Sequence, residues 1–439
     1  MEIVNINDAL DYIYSFMGKK NLHKEGFDHI NNVRNILNTL GYKQTFEVIH
    51  ITGTKGKGST TLVLSHMLKH SGFKTGAFIS PHIIDERERI SINDEWISEK
   101  DFVYITNRIK NIVDNDNYIY ENITVFEIFT IIGLYYFYMQ EVDYACVEVG
   151  IGGKLDCTNV VDSAISILTS ISYDHTQILG DTIEKITEQK AGIIKPNSIV
   201  ISAYQEENSI NIIKNISEKQ NSKLYIFKKD FDAEIIKNSN ENLEFIYKEN
   251  DKEYTFNTTL LGEHQAENIS LSFKAFRMLL EKRKNIKNTE KIYISAINSL
   301  NTFDIKARLT FMQRNPDIIV DGAHNAKSLD RVLKTVYKWY KDIIILFAPL
   351  SEKDVNGMCN VLKQYDSIII LSSSNNITYK ETDSYKVYEY LKDYDNVKHI
   401  PNFNEAIEYM KKLSKEKSMP ALVIGSLYAA SDFINTYKK

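Results

Sequence analysis

Cysteine is scarce in this chain of 439 residues. Cys146, Cys157 and Cys359 are the only three, and no two share the spacing of a zinc site or a disulfide framework. An excess of positive charge is also missing: 53 Lys and Arg face 58 Asp and Glu, a net charge of −5. The lysines are interspersed with acids, which argues against nucleic acid as the main partner. No apolar run is long enough to span a bilayer. The longest, Val125 to Met139, contains Glu127 and reads as a buried helix. The stretch Met1-Glu2-Ile3-Val4-Asn5 lacks a basic region followed by an apolar run, so no signal peptide and no membrane association are expected, and the cytoplasm is the expected compartment. Neither an internal repeat nor a low-complexity segment stands out. What remains, 43% hydrophobic and 25% charged residues, is ordinary for a globular protein, and the length predicts two or three domains.

What the chain does have is a glycine loop in a telling place. Phe46-Glu47-Val48-Ile49 reads as a strand, and Leu62 to Lys69 has helical spacing. Between them lie Gly53, Thr54, Lys55, Gly56, Lys57, Gly58, Ser59 and Thr60. Strand, tight glycine turn and helix is the geometry that cradles phosphate: backbone N–H groups converge, the helix N-terminus adds partial positive charge, and Lys57 adds a full one. Ser59 and Thr60 offer hydroxyls to a phosphate or its metal. Gly58 separates Lys57 from Ser59, where the common P-loop has Ser or Thr directly after the lysine. The competing reading is an ordinary surface turn with a helix cap.

Three further residues follow predicted parallel strands. Ser80, with Pro81 and His82, ends the strand Thr75–Ile79 and is either a metal ligand or the start of a turn. Glu148 lies near the end of the apolar strand 142–150, where a carboxylate must be paired or metal-bound, so magnesium and a salt bridge are the two alternatives. His175 follows the strand 164–169. In a doubly wound sheet such strand ends gather on the rim that holds the phosphate loop. Elsewhere, Asn7 is read as a helix cap, and Asp181 with Glu184 as a capping box. Strands are expected at 198–202, 223–227, 243–247 and 254–260, with solvated hairpins between them, then a helix from His264 and a charged, linker-like run over 281–291. A second α/β unit has strands at 317–321, 343–348, 367–372 and 421–424. The expected fold class is thus α/β: an N-terminal, P-loop-containing, mostly parallel sheet domain over 1–295, a linker over 296–306, and a smaller C-terminal Rossmann-like domain over 307–439.

Taken together these strings resemble the folylpolyglutamate synthase and dihydrofolate synthase family of the Mur ligase superfamily, over nearly the whole chain. The resemblance is carried by Gly53 to Ser59, Ser80-Pro81-His82, Glu88-Arg89-Ile90-Ser91-Ile92-Asn93, Phe126-Glu127, Glu148 to Asn159, Asp174-His175, and Ile178 to Thr182. It continues through Glu188-Gln189-Lys190-Ala191-Gly192-Ile193, Gly262-Glu263-His264-Gln265 with Asn268, and Asp321-Gly322-Ala323-His324-Asn325. It implies a Mur ligase central-type first domain and a ligase that uses ATP to join the γ-carboxylate of a folate to L-glutamate through an acyl phosphate. Dihydropteroate is a second acceptor in the bifunctional form. It further implies that Ser80, Glu148 and His175 hold Mg2+, together with Lys190 in carbamylated form. Lys57, His175, Lys190, Arg308 and His324 take catalytic roles. Asn268 lies on the adenine side, with Arg308 and Asp321 reaching across from the second domain to the ATP. Ser80, Pro81, His82, Phe126, Leu155, Asp156 and Cys157 border the folate, and Lys353-Asp354 the glutamate.

Some positions depart from the family pattern. The family glycine before Arg308 is replaced in Asp304-Ile305-Lys306-Ala307-Arg308, Cys157 stands for a common Ala, and Tyr173 for a common Leu or Phe. These border the substrate, so the competing expectations are an amide ligase with a non-folate acceptor, a P-loop kinase or nucleotide-gated module, and a non-catalytic relative. A monomer is expected.

Overall fold

A computed structural model describes residues 2–18, 29–283, 288–350, 354–374, 384–394 and 396–437. The first sheet comprises β1 (Glu47–Thr52), β2 (Thr75–Phe78), β3 (Ile90–Ile92), β4 (Glu95–Trp96), β5 (Tyr144–Glu148), β6 (Ser163–Leu168), β7 (Ile199–Ser202) and β8 (Lys223–Ile226). Its order is β4-β3-β2-β5-β1-β6-β7-β8, with β3 and β4 antiparallel and the rest parallel. The central strands are buried on both faces, which is why they read as continuous apolar runs. β1 lies between β5 and β6, so the chain leaves the sheet centre at a switch point, and the glycine loop follows directly.

A second sheet of three antiparallel strands follows: β9 (Asp232–Asn238), β10 (Leu243–Glu249) and β11 (Lys252–Thr258), in the order β11-β10-β9. Alternate residues of β10 are buried, the signature of a sheet with one covered face. That face packs on the helix Glu263–Lys282. Inside this layer the Glu249 carboxylate accepts from Lys274, Arg277 and Tyr247, so a buried acid is matched by two cations.

The third sheet comprises β12 (Thr310–Gln313), β13 (Ile318–Val320), β14 (Ile343–Phe347), β15 (Ser367–Leu371), β16 (Val397–His399) and β17 (Ala421–Ile424). It runs β12-β13-β17-β14-β15-β16, parallel except for β12. Two apolar clusters cover its faces, and Ile83 and Ile84 from the loop after β2 pack against one of them. The two α/β units therefore touch through the segment that follows Ser80.

Several local expectations are corrected. Asn5, not Asn7, caps the first helix, Ile6–Tyr14, accepting from the Asp8 N–H at 3.0 Å. Thr182, not Asp181, caps Ile183–Ala191, so the Asp181–Glu184 box does not form, and Asp181 pairs with Lys185 instead. The charged run after 281 leads into the helix Thr289–Ser299, whose Tyr293, Ala296 and Ile297 are buried in the main core. β3, β4, β9, β12 and β16 were not expected from the sequence. The helix Val125–Met139 forms as expected. Its Glu127 closes a capping box with Thr124 and accepts from Asn32 Nδ2 at 2.9 Å, which accounts for an acid inside an apolar stretch. Among the described residues no helix is long and apolar enough to cross a membrane, and the three cysteines are free and buried.

Candidate active site

The helix Lys57–Lys69 starts at Gly56, whose φ of 91° no β-carbon-bearing residue adopts easily. A Cβ there would also lie 2.3 Å from Asn268 Oδ1. The first bond of the helix runs from the Thr60 N–H to the Gly56 carbonyl at 2.9 Å. The N–H groups of Lys57, Gly58 and Ser59 therefore have no acceptor within the helix and form a positive end. The front of the loop is fixed: Thr54 exchanges hydrogen bonds with Ser172, and its N–H donates to the Ser170 carbonyl. Behind it, Ser272 donates to the Thr60 carbonyl, which holds the helix of Asn268 against the phosphate helix.

Gly58 packs directly beside Glu148. A Cβ at that position would lie 3.4 Å from Glu148 Oε2. Glu148 ends β5 and is buried, and its carboxylate accepts from the Ser80 N–H at 2.9 Å. Burial pushes its pKa up, opposed by Lys57, the Ser80 N–H, Arg308 and Arg89. The salt-bridge alternative is therefore partly met by distributed positive charge, while Ser80 and Glu148 stand together as the metal alternative requires.

Lys190, in the last turn of Ile183–Ala191, is only 3% exposed and donates from Nζ to the Gly53 carbonyl at 2.8 Å. Burial and Lys57 push its pKa down to about 7, against pulls from Asp174 and Asp156. The glycines nearby permit this approach, because a Cβ on Gly153 would strike the Lys190 carbonyl at 2.8 Å. His175 caps the short helix Thr176–Leu179 in a left-handed conformation, with its ring partly exposed and 3.9 Å from Asp174 Oδ1. Among the described residues no three His, Cys, Asp or Glu side chains gather as a ready-made metal site.

From the second unit, Asp321 is buried and accepts from the Leu309 and Ala323 N–H groups. Burial raises its pKa, opposed first by Arg308 and, more weakly, by Lys55. Arg308 thus influences both Glu148 and Asp321 and spans the two units. His324 lies beyond Gly322, with Nδ1 3.0 Å from the Gly322 carbonyl.

The residues expected around the folate divide. Phe126 faces Gly150, where a Cβ would lie 2.6 Å from its ring. His82 accepts at Nδ1 from Arg89 Nε at 3.1 Å, and burial with Arg89 brings its pKa down to about 4, so it is neutral at pH 7. Leu155 is 67% exposed and open to a ligand. Asp156 has a structural task, accepting from the Ile151 and Thr158 N–H groups and the Thr158 hydroxyl. Cys157 is buried in the core against Thr130. Lys353 lies outside the described residues, and Asp354 caps the helix Val355–Leu362.

Sequence reasoning gave no role to a group beside Asn268. His264 Nδ1, Gln265 Nε2 and Glu267 Oε1 are buried polar atoms without a hydrogen-bond partner. Arg331 influences both His264 and Glu267. Buried polar atoms left unpaired by protein call for a ligand or water. The only signal was the string His264-Gln265-Ala266-Glu267-Asn268 at a helix start.

A phosphate loop at the switch point of a parallel sheet, faced by a second α/β unit that supplies an arginine, defines a two-domain nucleotide-dependent ligase of the Mur type. Residues 51–276 match the Mur ligase middle domain, and residues 307–427 the Mur ligase glutamate ligase domain. A dihydrofolate synthase/folylpolyglutamate synthase of Bacillus subtilis is 30% identical over 92% of this chain and 93% of its own length. The apo form of L. casei FPGS superposes with a TM-score of 0.85 at 26% identity, covering 99% of this chain and 100% of that one. An FPGS–AMPPCP complex gives 0.84 at 26% identity, with the same coverage. The chain belongs to the folylpolyglutamate synthase/dihydrofolate synthase family of Mur ligases.

Proposed function

We propose that this chain uses ATP to join the γ-carboxylate of a reduced folate to the amine of L-glutamate. The observation that carries the reading is the convergence on one rim of the open phosphate-loop N–H groups, Lys57, the buried Glu148 carboxylate and Arg308 from the second unit. The AMPPCP-bound relative supports nucleotide use. Phosphoryl transfer to a carboxylate brings two anions together, so positioning and charge neutralisation matter most. The loop N–H groups and Lys57 hold the phosphates, and Arg308 offsets charge on the transferring phosphoryl group. The γ-carboxylate oxygen attacks the terminal phosphorus, ADP leaves, and an acyl phosphate forms. The neutral glutamate amine then attacks the acyl carbon, and the tetrahedral adduct expels phosphate and loses a proton to give the amide. His324 borders this path, and Asn268 the adenine.

The residues fit Mg2+: Glu148 is a buried carboxylate with one N–H donor, and Lys190 is a buried amine whose lowered pKa suits reaction with CO2. Ser80, Glu148, His175 and carbamylated Lys190 would hold the ion, which when bound supplies positive charge to the phosphates. We take 1–295 as the ATP-binding domain with the folate site, 296–306 as a linker packed on that domain's core through Ala296, Ile297, Leu300 and Ile305, and 307–439 as the ligase domain, in a cytoplasmic monomer.

The test is ADP release from ATP with tetrahydrofolate and L-glutamate, each omitted in turn, with product masses followed. Release dependent on both, and masses rising in glutamate steps, are expected. Equal hydrolysis without either organic substrate refutes the ligase reading, and glutamate-dependent release that ignores folates points to another acceptor. Dihydropteroate in place of tetrahydrofolate tests the second activity.

A further inference from the structure

The arginine expected to act on the phosphoryl group sits in an unusual piece of backbone. Ala307 and Leu309, on either side of Arg308, have φ of 55° and 53°. Neither is glycine, and each is held in the left-handed region, which L-residues with a Cβ avoid. Two such residues in a span of three persist only where the surroundings over-determine them.

The surroundings here converge on Asp321. One carboxylate oxygen accepts from the Leu309 N–H at 3.0 Å, and the other from the Ala323 N–H at 2.8 Å. The Gly322 N–H donates to the Ala307 carbonyl at 3.0 Å, and Arg308 reaches back to the same carbonyl at 2.9 Å. Thr310 donates to the Ile305 carbonyl. Leu309 immediately precedes β12, and Asp321 immediately follows β13, its antiparallel partner. A single buried carboxylate therefore ties the strained turn to the end of the strand that carries the Asp-Gly-Ala-His string. The tie is tight, since a Cβ on Gly322 would lie 3.0 Å from an Arg308 guanidinium nitrogen.

We infer that Asp321 is a positioning residue for Arg308: its carboxylate clamps the left-handed turn Ala307-Arg308-Leu309 and so aims the guanidinium at the phosphate site. This rests on the reading of Arg308 given above. It adds to that reading a reason why the chain does without glycine at 307, because the clamp holds a conformation the alanine resists.

The experiment is a double-mutant cycle in steady-state ligase assays, with Asp321→Asn, Ala307→Gly and both together. Asparagine offers one acceptor oxygen where two N–H groups need one each. Asp321→Asn is expected to lower kcat about tenfold or more while KM for ATP stays within about twofold, as a misaimed group does. Glycine adopts the turn without the clamp, so the loss caused by Asp321→Asn should be about fivefold smaller in the Ala307→Gly background. An equal loss in both backgrounds overturns the inference, as does a raised KM for ATP with kcat intact, which marks a nucleotide contact instead. Arg308→Ala separates the two claims. Full activity there removes the reading of Arg308 and the inference with it. Lost activity there, without the background effect, removes the inference alone. Thermal unfolding checks each variant, and Asp321→Ser, which keeps one acceptor oxygen, gives the same cycle if the asparagine variant does not fold.

Discussion

Replacing Lys190 tests the chemistry most directly. A lysine with its ordinary pKa of 10.5 is neutral in about one molecule in three thousand at pH 7, whereas at about 7 roughly half are neutral. Only the neutral amine reacts with CO2, so the fold raises the reactive fraction about a thousandfold. Lys190→Ala is expected to cut turnover by about a thousandfold, the range for loss of a group facing developing charge. Short carboxylic acids added to the Ala variant should restore part of the activity by placing a carboxylate where the carbamate stood. In the wild type, 13C-labelled bicarbonate should give a carbamate carbon signal that is absent in the variant. Stability moves the other way.

The folded pKa of Lys190 lies below the unfolded one, so below pH 7 both states hold the proton and the full cost of burying charge is present, on the order of 3–5 kcal/mol. Between pH 7 and 10.5 the unfolded chain binds the extra proton, and stability should rise with pH. Lys190→Met removes that slope, so the variant should gain on the wild type at pH 6 and keep only about half of that gain at pH 9 in urea melts without bicarbonate. Full activity of Lys190→Ala, or identical pH slopes for wild type and Lys190→Met, would refute the reasoning.

Other substitutions sort the site from its frame. Glu148→Gln keeps an oxygen for the Ser80 N–H and removes a buried charge, so the melting temperature should hold or rise while ADP formation falls more than about a hundredfold. Gly56→Ala meets both a positive φ and Asn268, and should lower stability by about 2 kcal/mol or more in denaturant melts. Gly58→Ala lacks the positive φ and meets Glu148 only at 3.4 Å, so it should cost under about 1 kcal/mol while weakening nucleotide binding measured by calorimetry. Glu249→Gln leaves two buried cations without their carboxylate and should cost about 3–5 kcal/mol, with KM values unchanged in the folded fraction.

The glycine loop was legible because everything that makes it is local: an apolar strand, glycines and a helix start lie within twenty residues. The buried helix Val125–Met139 was legible for the same reason, although the partner that settles Glu127, Asn32, lies far away in the chain. The capping errors were of one or two residues, since Asn5 and Asn7, or Asp181 and Thr182, are equally good caps by composition and only the entry direction of the backbone chooses. β9, β12 and β16 escaped because edge strands with mixed burial lack a clear alternation, and β3 and β4 because two or three residues are too few to show a period. Asp156 and Cys157 resembled substrate contacts by position, yet one caps a turn and the other faces the core. Nothing in their own sequence separates those outcomes.

By itself, the sequence determined the phosphate loop, the parallel sheet around it, the second α/β unit, and the set of chemical groups available for ligation. These follow from periodicity and from residue types whose reach is a few positions. Only the tertiary structure decided what each group is at neutral pH and where it points. Lys190 has a lowered pKa because the fold removes it from water beside Lys57. Gly58 lies beside a carboxylate because the fold brings Glu148, ninety positions away, up to it. The backbone around Arg308 is left-handed at Ala307 and Leu309, angles that neither residue would choose, and Asp321 accepts from the Leu309 N–H there. Burial, charge and strain are properties of surroundings, and distant parts of the chain supply them.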